Sequence, residues 1–428
     1  MHRPRALAFV LLAVVAACGP APASPSPDPT SAGAGASDDP ILAPTSEPAF
    51  GLTWGLVEDV ERPEEAFSFP SNLPTAPTGP NTPGHPGNFP GQSILNDVAV
   101  GGDRLVAVGY TAIHGEWTAD SWISSDSRTW ALHQIDAAPG SFAVSVVAAP
   151  GGGFVAVGRV GSAAAAWTSA DGSTWERARV AGHTGAGGEA VAERMTVVIA
   201  GPDGFLAGGS AGPELLERHA RFWSSSDGRE WKAGPDDDAF AGAEIAAVLR
   251  SGSRSFLALG RLGDGQRGTG TVALRSNDGV TWRRINDEAL GSGLAVAVVA
   301  TEDGYLAVGS DLDEREAVVW ASEDGVAWGR APEETSRLHF NEKVRMTDVL
   351  VTPSGYVAIG NFVGVQYGTG TSWLSTTGYS WVPGPLQAAL GQAEPEAMVA
   401  WGDRLVAVGS RGAPDNYIPS AWISPNVP

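Results

Sequence analysis

Carboxylates at one recurring position are the residues of this sequence best suited to chemistry. Each stands two residues after a serine and four before a tryptophan: Asp126, Asp171, Asp227, Asp278 and Asp324. A carboxylate can transfer protons, bind a cation, or accept hydrogen bonds from backbone N–H groups of its own turn. Four of the five precede glycine, which adopts positive φ without a steric clash. The pattern therefore predicts that these aspartates hold turns, and we expect no catalytic residue among them.

The one cysteine, Cys18, is the second residue with distinctive chemistry. Residues 1–17 combine a basic start with a short apolar stretch, which is typical of a signal peptide. The segment Val15-Ala16-Ala17-Cys18 resembles the bacterial lipobox. That resemblance implies a diacylglyceryl group on the thiol and cleavage that leaves Cys18 as the new N-terminus. A secretory signal peptide with an incidental cysteine is the alternative.

Other catalytic chemistries lack their motifs. The sequence contains no HExxH, no CxxC pair and no GxSxG, and its seven histidines are scattered. We therefore predict no cofactor and no metal site. Acidic runs at 236–238 and 311–314 could bind Ca²⁺ weakly, but we interpret them as solvated loops. The glycine-rich stretch 263–270 has no lysine, and we interpret it as a hairpin tip rather than a phosphate loop.

The charge balance narrows the range of partners. The chain of 428 residues has 27 Lys and Arg against 48 Asp and Glu, which gives a formal net charge of -21. An acidic surface repels phosphate backbones, so we expect no nucleic acid partner. With a single cysteine, no intramolecular disulfide can form, and the fold must depend on its core.

A compositional boundary separates the N-terminal region from the rest. Residues 18–47 are mainly Pro, Ser, Ala, Gly and Asp, so they cannot bury enough surface to offset chain entropy. We interpret this segment as a tether and residues 48–428 as the folded domain. Within that domain, residues 62–91 form an irregular insertion rich in Pro and Gly, either a spacer or a cap over one face.

One pattern recurs from residue 96 onward: a hydrophobic strand, a turn, and a second strand that ends in glycine. These glycines are 49 to 51 residues apart: Gly109, Gly158, Gly209, Gly260, Gly309, Gly360 and Gly409. Pairs of tryptophans eight residues apart recur with the same period: Trp122/Trp130, Trp167/Trp175, Trp223/Trp231, Trp320/Trp328 and Trp373/Trp381. In the fourth repeat, Leu274 takes the place of the first tryptophan, eight residues before Trp282. Short strands at this period are typical of propeller blades. We predict an all-β, seven-bladed β-propeller whose tryptophan rings pack between blades.

The seventh repeat ends before its fourth strand. The segment around Thr53 and Trp54 matches the missing Thr-Trp element, as in Thr174-Trp175. We therefore predict that residues near 50–60 supply the outer strand of the last blade. Such a strand would close the ring and leave no blade with an open seam.

The recurring turns resemble the Asp-box, or bacterial neuraminidase repeat, in a form one residue shorter than the usual Ser-x-Asp-x-Gly-x-Thr-Trp. The resemblance implies a propeller whose boxes lie at the blade periphery, away from the ligand site. It does not extend to a typical sialidase: the Arg-Ile-Pro segment is missing, and Tyr110, Tyr367 and Tyr417 have no obvious glutamate partner in the sequence. The sixth turn has Thr377 in place of the aspartate.

Two functions remain open at this stage. The first is a non-catalytic, monomeric surface lipoprotein, anchored by its lipid on the extracytoplasmic face of the membrane, that acts as a binding or assembly platform for a protein, glycan or other envelope partner. The alternative is a glycan-active enzyme, sialidase-like or another glycoside hydrolase, with an unfamiliar site. Two or three carboxylates converging from the inner strand ends would favour the enzyme.

Overall fold

The computed structural model describes residues 52–63, 91–113, 115–181, 191–212, 218–263, 268–331, 343–363, 368–413 and 416–428. All of them belong to one unit, Pro48–Pro428. The predicted signal peptide, Cys18 and the tether lie outside the described residues, as does most of the insertion at 62–91. In the described part of the chain, no helix is long and apolar enough to cross a membrane.

Short strands dominate the first half of the described chain. The N-terminal segment contains β1 (Gly55–Leu56) and β2 (Asp59–Val60). Blade 1 contains β3 (Gln92–Gly101), β4 (Arg104–Ile113), β5 (Glu116–Ser124) and β6 (Thr129–Asp136). Blade 2 contains β7 (Ser141–Ala148), β8 (Phe154–Val160), β9 (Ala163–Ser169) and β10 (Trp175–Arg177), and β11 (Arg179–Val180) follows. Blade 3 contains β12 (Glu193–Gly201), β13 (Gly204–Ala211), β14 (His219–Ser225) and β15 (Glu230–Ala233).

The second half repeats the same unit. Blade 4 contains β16 (Ala243–Arg250), β17 (Phe256–Gly263), β18 (Gly268–Ser276) and β19 (Trp282–Ile285), followed by the short helix α1 (Glu288–Gly291). Blade 5 contains β20 (Gly293–Thr301), β21 (Gly304–Asp311), β22 (Ala317–Ser322) and β23 (Gly329–Arg330). Blade 6 contains β24 (Lys343–Thr352), β25 (Gly355–Val363), β26 (Gly368–Ser375) and β27 (Val382–Pro383). Blade 7 contains β28 (Ala393–Trp401), β29 (Arg404–Ala413) and β30 (Asn416–Ser424).

The ring closes as the sequence predicts. Strand β1 pairs antiparallel with β30, with Gly55 opposite Ile423, and so becomes the outer strand of blade 7. The indole Nε1 of Trp54 donates to Ser372 Oγ at 3.1 Å, which ties the closing segment to blade 6 as well. The seven-bladed β-propeller closed by an N-terminal strand is therefore confirmed. Two further strands were not predicted: β2 and β11 add to blades 1 and 3 as parallel fifth strands.

The core lies between blades rather than within them. Seven clusters of buried apolar side chains occur in the described residues, and each combines residues of two neighbouring blades. The cluster between blades 7 and 1, for example, brings Trp122 and Trp130 against Val406. Leu274, the substituted tryptophan position, is fully buried beside Trp282. The predicted packing of the tryptophan rings between blades is confirmed.

The recurring glycines have a steric cause. Every first strand has a β-bulge, and in blade 1 it falls between Leu95 and Asp97. A Cβ added at Gly109 would lie 1.8 Å from the carbonyl oxygen of Ile94, just before that bulge. The same conflict recurs in five other blades, whereas at Gly260 an added Cβ would meet only side chains, at 3.2 Å or more. The glycines therefore accommodate the bulges, which line the central channel.

The strand order gives the ring two distinct faces. The first strands of all blades begin on one face, which also carries the hairpins between second and third strands; we call it the upper face. The hairpins between first and second strands and the Asp-box turns lie on the opposite, lower face. Residues before the bulge of each first strand therefore surround the upper mouth of the channel.

Candidate functional site

The predicted turn aspartates lie on the lower face, each in a different blade. Asp171 Oδ1 accepts hydrogen bonds from the backbone N–H groups of Ser173 at 2.9 Å and Thr174 at 3.1 Å. The Ser173 side chain and these N–H groups hold the pKa of Asp171 well below its usual range. Equivalent pairs of backbone N–H groups reach Asp126, Asp227, Asp278 and Asp324. The structure thus places these carboxylates in local turn contacts and does not bring them together.

Thr377 replaces the aspartate in the sixth turn without changing the pattern of bonds. Its hydroxyl oxygen accepts from the backbone N–H groups of Tyr379 at 3.2 Å and Ser380 at 3.4 Å. The indole Nε1 of Trp381 donates to Gly378 O at 2.9 Å, as the last tryptophan does in the turns of blades 1 to 4. A neutral acceptor is therefore sufficient to form the turn.

The channel wall is built from the bulge residue of each first strand. In order, these are Asn96, Val144, Thr196, Ala246, Val296, Thr347 and Glu396. The side chains of Asn96 and Thr347 donate to backbone carbonyls of the next blade, Ala143 O at 2.7 Å and Pro395 O at 2.8 Å. Among these seven described positions, only Glu396 is ionisable. Blade 7 therefore presents a carboxylate where the other blades are neutral.

Two further carboxylates follow the bulges of blades 1 and 6. Asp97 Oδ2 accepts from the Val146 N–H of blade 2 at 2.9 Å, and Asp348 Oδ2 accepts from the Met398 N–H of blade 7 at 2.8 Å. Burial raises the pKa of Asp97 to about 6 and that of Asp348 to about 7, against the lowering effect of these hydrogen bonds. Both residues thus link the first strands of adjacent blades.

Charged and phenolic groups meet at the upper mouth beside blade 7. The Tyr417 hydroxyl donates to Glu394 Oε1 at 3.1 Å. Arg345 Nη2 donates to Glu396 Oε1 at 3.3 Å, and Arg345 Nε donates to Asn361 Oδ1 at 3.3 Å. The side chains of Arg345 and Glu396 keep 37% and 30% of their surface exposed, so a ligand in the channel can reach this ion pair.

The electrostatics of this group depend on burial. Burial raises the pKa of Glu396; Arg345 opposes the change and the charge of Glu394 adds to it. Burial raises the pKa of Tyr417 to about 12, with Glu394 contributing, so the phenol stays protonated near neutral pH. Burial raises the pKa of Tyr110 likewise to about 12, and the charge of Glu396 contributes.

An aromatic shelf continues the mouth across blades 1 and 2. It consists of Tyr110, Trp117 and Phe142, all half-buried. Trp117 stacks on Phe142 with ring centroids 5.5 Å apart, and Tyr110 meets both rings edge-on at 5.3 and 5.0 Å. The guanidinium of Arg159 lies 4.2 Å from the centroid of the Phe142 ring. We refer to this shelf together with Arg345, Glu394, Glu396 and Tyr417 as the channel mouth.

The channel mouth corrects one interpretation of the sequence. Tyr417 does have a glutamate partner, Glu394, although 23 residues separate the two. The pairing was missed because it needs the hairpin that folds β30 back along β29 and β28. One signal was available: the bulge position of the last blade is a glutamate, Glu396, whereas the other blades have Asn, Val, Thr or Ala there.

The acidic loops considered for calcium have other contacts where they are described. Asp236 is paired with Arg221. Asp311 Oδ1 accepts from the backbone N–H groups of Arg315 and Glu316 at 2.6 and 3.0 Å. Within the described ranges, no group of three or more His, Cys, Asp or Glu residues could hold a metal ion.

Comparison with known proteins supports the fold. No family model matches the chain, and no curated protein is similar to it in sequence. A structure of YCF48 bound to a D1 peptide aligns over 82% of this chain and 97% of that chain, with a TM-score of 0.52 and 16% identity. A protein of unknown function from Dyadobacter fermentans aligns over 80% of this chain and 96% of that chain, with a TM-score of 0.49 and 14% identity. An alpha-L-arabinanase from Penicillium chrysogenum aligns over 64% of this chain and 90% of that chain, with a TM-score of 0.42 and 15% identity.

Proposed function

We propose that this protein is a non-catalytic, glycan-binding propeller whose ligand binds at the channel mouth. The observation that carries the proposal is the aromatic shelf of Tyr110, Trp117 and Phe142 beside the carboxylates of Glu394 and Glu396. These three rings are half-buried, whereas most of the repeated tryptophans are buried between blades.

The chemistry of the channel mouth suits a sugar. A pyranose has a face of C–H groups that packs against an aromatic ring, and Trp117 offers the largest such ring. Its hydroxyl groups donate well to carboxylates, which Glu394 and Glu396 supply, and accept from the guanidinium of Arg345. Arg345 offsets only one of the two carboxylates, so the channel mouth favours a neutral polyhydroxylated ligand over an anionic one.

A binding assay with matched variants tests the proposal. We expect the full-length chain to bind one or more structures on a glycan array, and calorimetry to show that Trp117→Ala and Glu394→Gln each weaken binding about tenfold or more. Trp401→Ala and Glu302→Gln, which change the same residue types on the lower face, serve as controls. Binding that survives both mouth variants, or no binding to any glycan, would contradict the proposal.

Glycan hydrolysis is a second candidate, and one observation favours it. Glu396 has a pKa raised by burial and lies beside a second carboxylate, Glu394. A carboxyl group that stays protonated can act as a general acid while its neighbour acts as base or nucleophile. A reducing-end assay on the glycans that bind distinguishes the two functions. Turnover lost in Glu396→Gln with binding retained would establish the enzyme, whereas binding without turnover supports the first proposal.

We also propose that the propeller is carried on the outer side of a membrane by a lipid on Cys18. The lipobox-like segment and the Pro- and Ser-rich residues 18–47 support this arrangement. A tether of that length would let the channel mouth reach ligands away from the bilayer.

A further inference from the structure

Blade 6 contains the longest uncharged stretch of the chain. Residues 349–393 include no Asp, Glu, Lys, Arg or His, although 18% of all residues are charged. The stretch contains β25, β26 and β27, which are the three strands of the blade outside the channel wall. This blade is therefore neutral beyond its inner strand, in a chain with a net charge of -21.

Apolar side chains are exposed on the same blade. Six large hydrophobic side chains are exposed in the described residues, and four of them lie in the uncharged stretch: Val351, Tyr379, Val382 and Leu386, with exposures from 38% to 66%. The last three, with the exposed Pro385, follow the outer edge from the Asp-box turn through β27 to the segment behind it. We refer to Tyr379, Val382, Pro385 and Leu386 as the blade 6 edge. An exposed apolar surface of this kind marks a place of contact with a partner.

The Asp-box turn beside this edge also lacks a charge. Thr377 stands where the turns of blades 1 to 5 have an aspartate, and its hydroxyl accepts from the N–H groups of Tyr379 and Ser380. The replacement therefore keeps the turn and removes only a carboxylate. A carboxylate is costly on a surface that loses contact with water, so a neutral turn suits an apolar contact here.

The chain enters the propeller next to the blade 6 edge. Gln387, which directly follows Leu386, donates from Nε2 to the Leu52 carbonyl at 3.2 Å. Its Oε1 accepts from the Trp54 N–H at 2.6 Å. A lipid on Cys18 would therefore hold this edge nearer to the bilayer than the other edges of the ring. A surface that is linked to its partner in this way needs little affinity of its own.

The backbone of this edge is poorly suited to pairing with another strand. Pro383 and Pro385 have no N–H group, and β27 has only two residues. A strand of a partner protein or of a second copy would therefore find few donors. A bilayer surface needs none, and the Tyr379 side chain suits the interface because its ring is apolar and its hydroxyl reaches water.

We propose that the blade 6 edge rests on the surface of the membrane that carries the anchor. This inference rests on the lipid proposed for Cys18 and adds the orientation of the propeller. The ring stands with blade 6 against the bilayer and with blades 2 and 3 away from it, so the channel mouth opens to the side and stays accessible to ligands. The acidic remainder of the surface keeps away from anionic headgroups.

Fluorescence quenching on vesicles tests this orientation. The lipidated full-length chain is placed in phosphatidylcholine vesicles with spin-labelled lipid, and the lipid on the Cys18 thiol leaves only an introduced cysteine free for a dye. Quenching at Val382→Cys should be severalfold stronger than at Glu176→Cys, the matched position in the outer strand of blade 2. Leu386→Glu, added to the Val382→Cys chain, should remove the quenching. Thr377→Asp should weaken it without lowering the melting temperature, because it restores the usual residue of the turn.

The outcomes separate the orientation from the anchor. A chain that floats with the vesicles but shows equal quenching at Val382→Cys and Glu176→Cys would overturn the docking surface and leave the anchor intact. A chain that has no lipid mass on Cys18 and does not float would overturn the anchor, and the docking surface with it. A dimer in ultracentrifugation that Leu386→Glu dissociates would assign the edge to a second copy and so overturn the membrane contact.

Discussion

Substitution of Asp97 should change the pH dependence of stability in a defined direction. The carboxylate accepts from the Val98 N–H at 2.8 Å and from the Ser145 hydroxyl and Val146 N–H of the next blade. No cation within the described residues pairs with it, and burial raises its pKa to about 6. Asp97→Asn keeps the shape and one acceptor oxygen but removes the charge; its NH2 group takes the place of the second acceptor, which adds a cost that does not depend on pH.

The sign and size follow from linkage between protonation and folding. The pKa of aspartate in an unfolded chain is about 4, so the folded protein binds this proton more tightly. The wild type should therefore lose stability as the pH rises from about 4 to about 6, by up to about 3 kcal/mol, because a tenfold change in proton affinity is worth about 1.4 kcal/mol. Asp97 is half-buried and in contact with the central channel, where water screens its charge. We therefore expect the loss of stability to be about 1–3 kcal/mol.

Calorimetric melting at pH 4.5, 6 and 8 measures the effect. Relative to wild type, Asp97→Asn should gain about 1–3 kcal/mol between pH 4.5 and pH 8. Removal of the Asp97 charge should also lower the pKa of Asp348, because that charge raises it in the wild type. Asp103→Asn, 86% exposed in the same blade, is the control and should show no such gain. A pH-independent difference between Asp97→Asn and wild type would refute the reasoning.

Three other predictions concern the turns, the ring closure and the anchor. Asp171→Ala should cost about 1–2 kcal/mol by thermal melting at neutral pH, and this loss should shrink as the pH falls through the lowered pKa of Asp171, because only a neutral acceptor is then lost; an unchanged melt would contradict the turn role. The side chain of Trp54 is only 6% exposed, so Trp54→Ala should lower the free energy of unfolding by about 3–5 kcal/mol. Glu58→Ala, the control, should leave it unchanged. Equal melting temperatures of the two variants would show that the closing strand does not hold the ring. Cys18→Ser should release the protein from membranes in cell fractionation, and continued retention would contradict lipidation.

The blades and their closure could be predicted because their determinants repeat. Gly109 and its equivalents mark a steric requirement of the bulge in six of the seven blades, and tryptophan pairs mark five of the blades. The Thr53-Trp54 match was sufficient to locate the closing strand. Strands β2 and β11 could not be predicted in the same way. Each has only two residues, which is too short to show an alternation of apolar and polar side chains. Each also pairs in parallel with a strand that is distant in sequence.

The channel mouth could not be predicted because each blade contributes one or two residues of different type. Glu396 comes from blade 7, Arg345 from blade 6 and Trp117 from blade 1, so no local spacing connects them. Trp117 also lies outside the pairs of tryptophans eight residues apart, so the repeat pattern does not indicate a structural or functional role for it. The raised pKa of Glu396 depends on burial, which the local sequence does not reveal.

A crystal structure of the full-length chain with the tightest-binding glycan would test the central claim most directly. The account predicts a sugar ring against Trp117, with a hydroxyl within hydrogen-bond distance of Glu394 or Glu396. A glycan bound elsewhere on the propeller, with only solvent at the channel mouth, would contradict it.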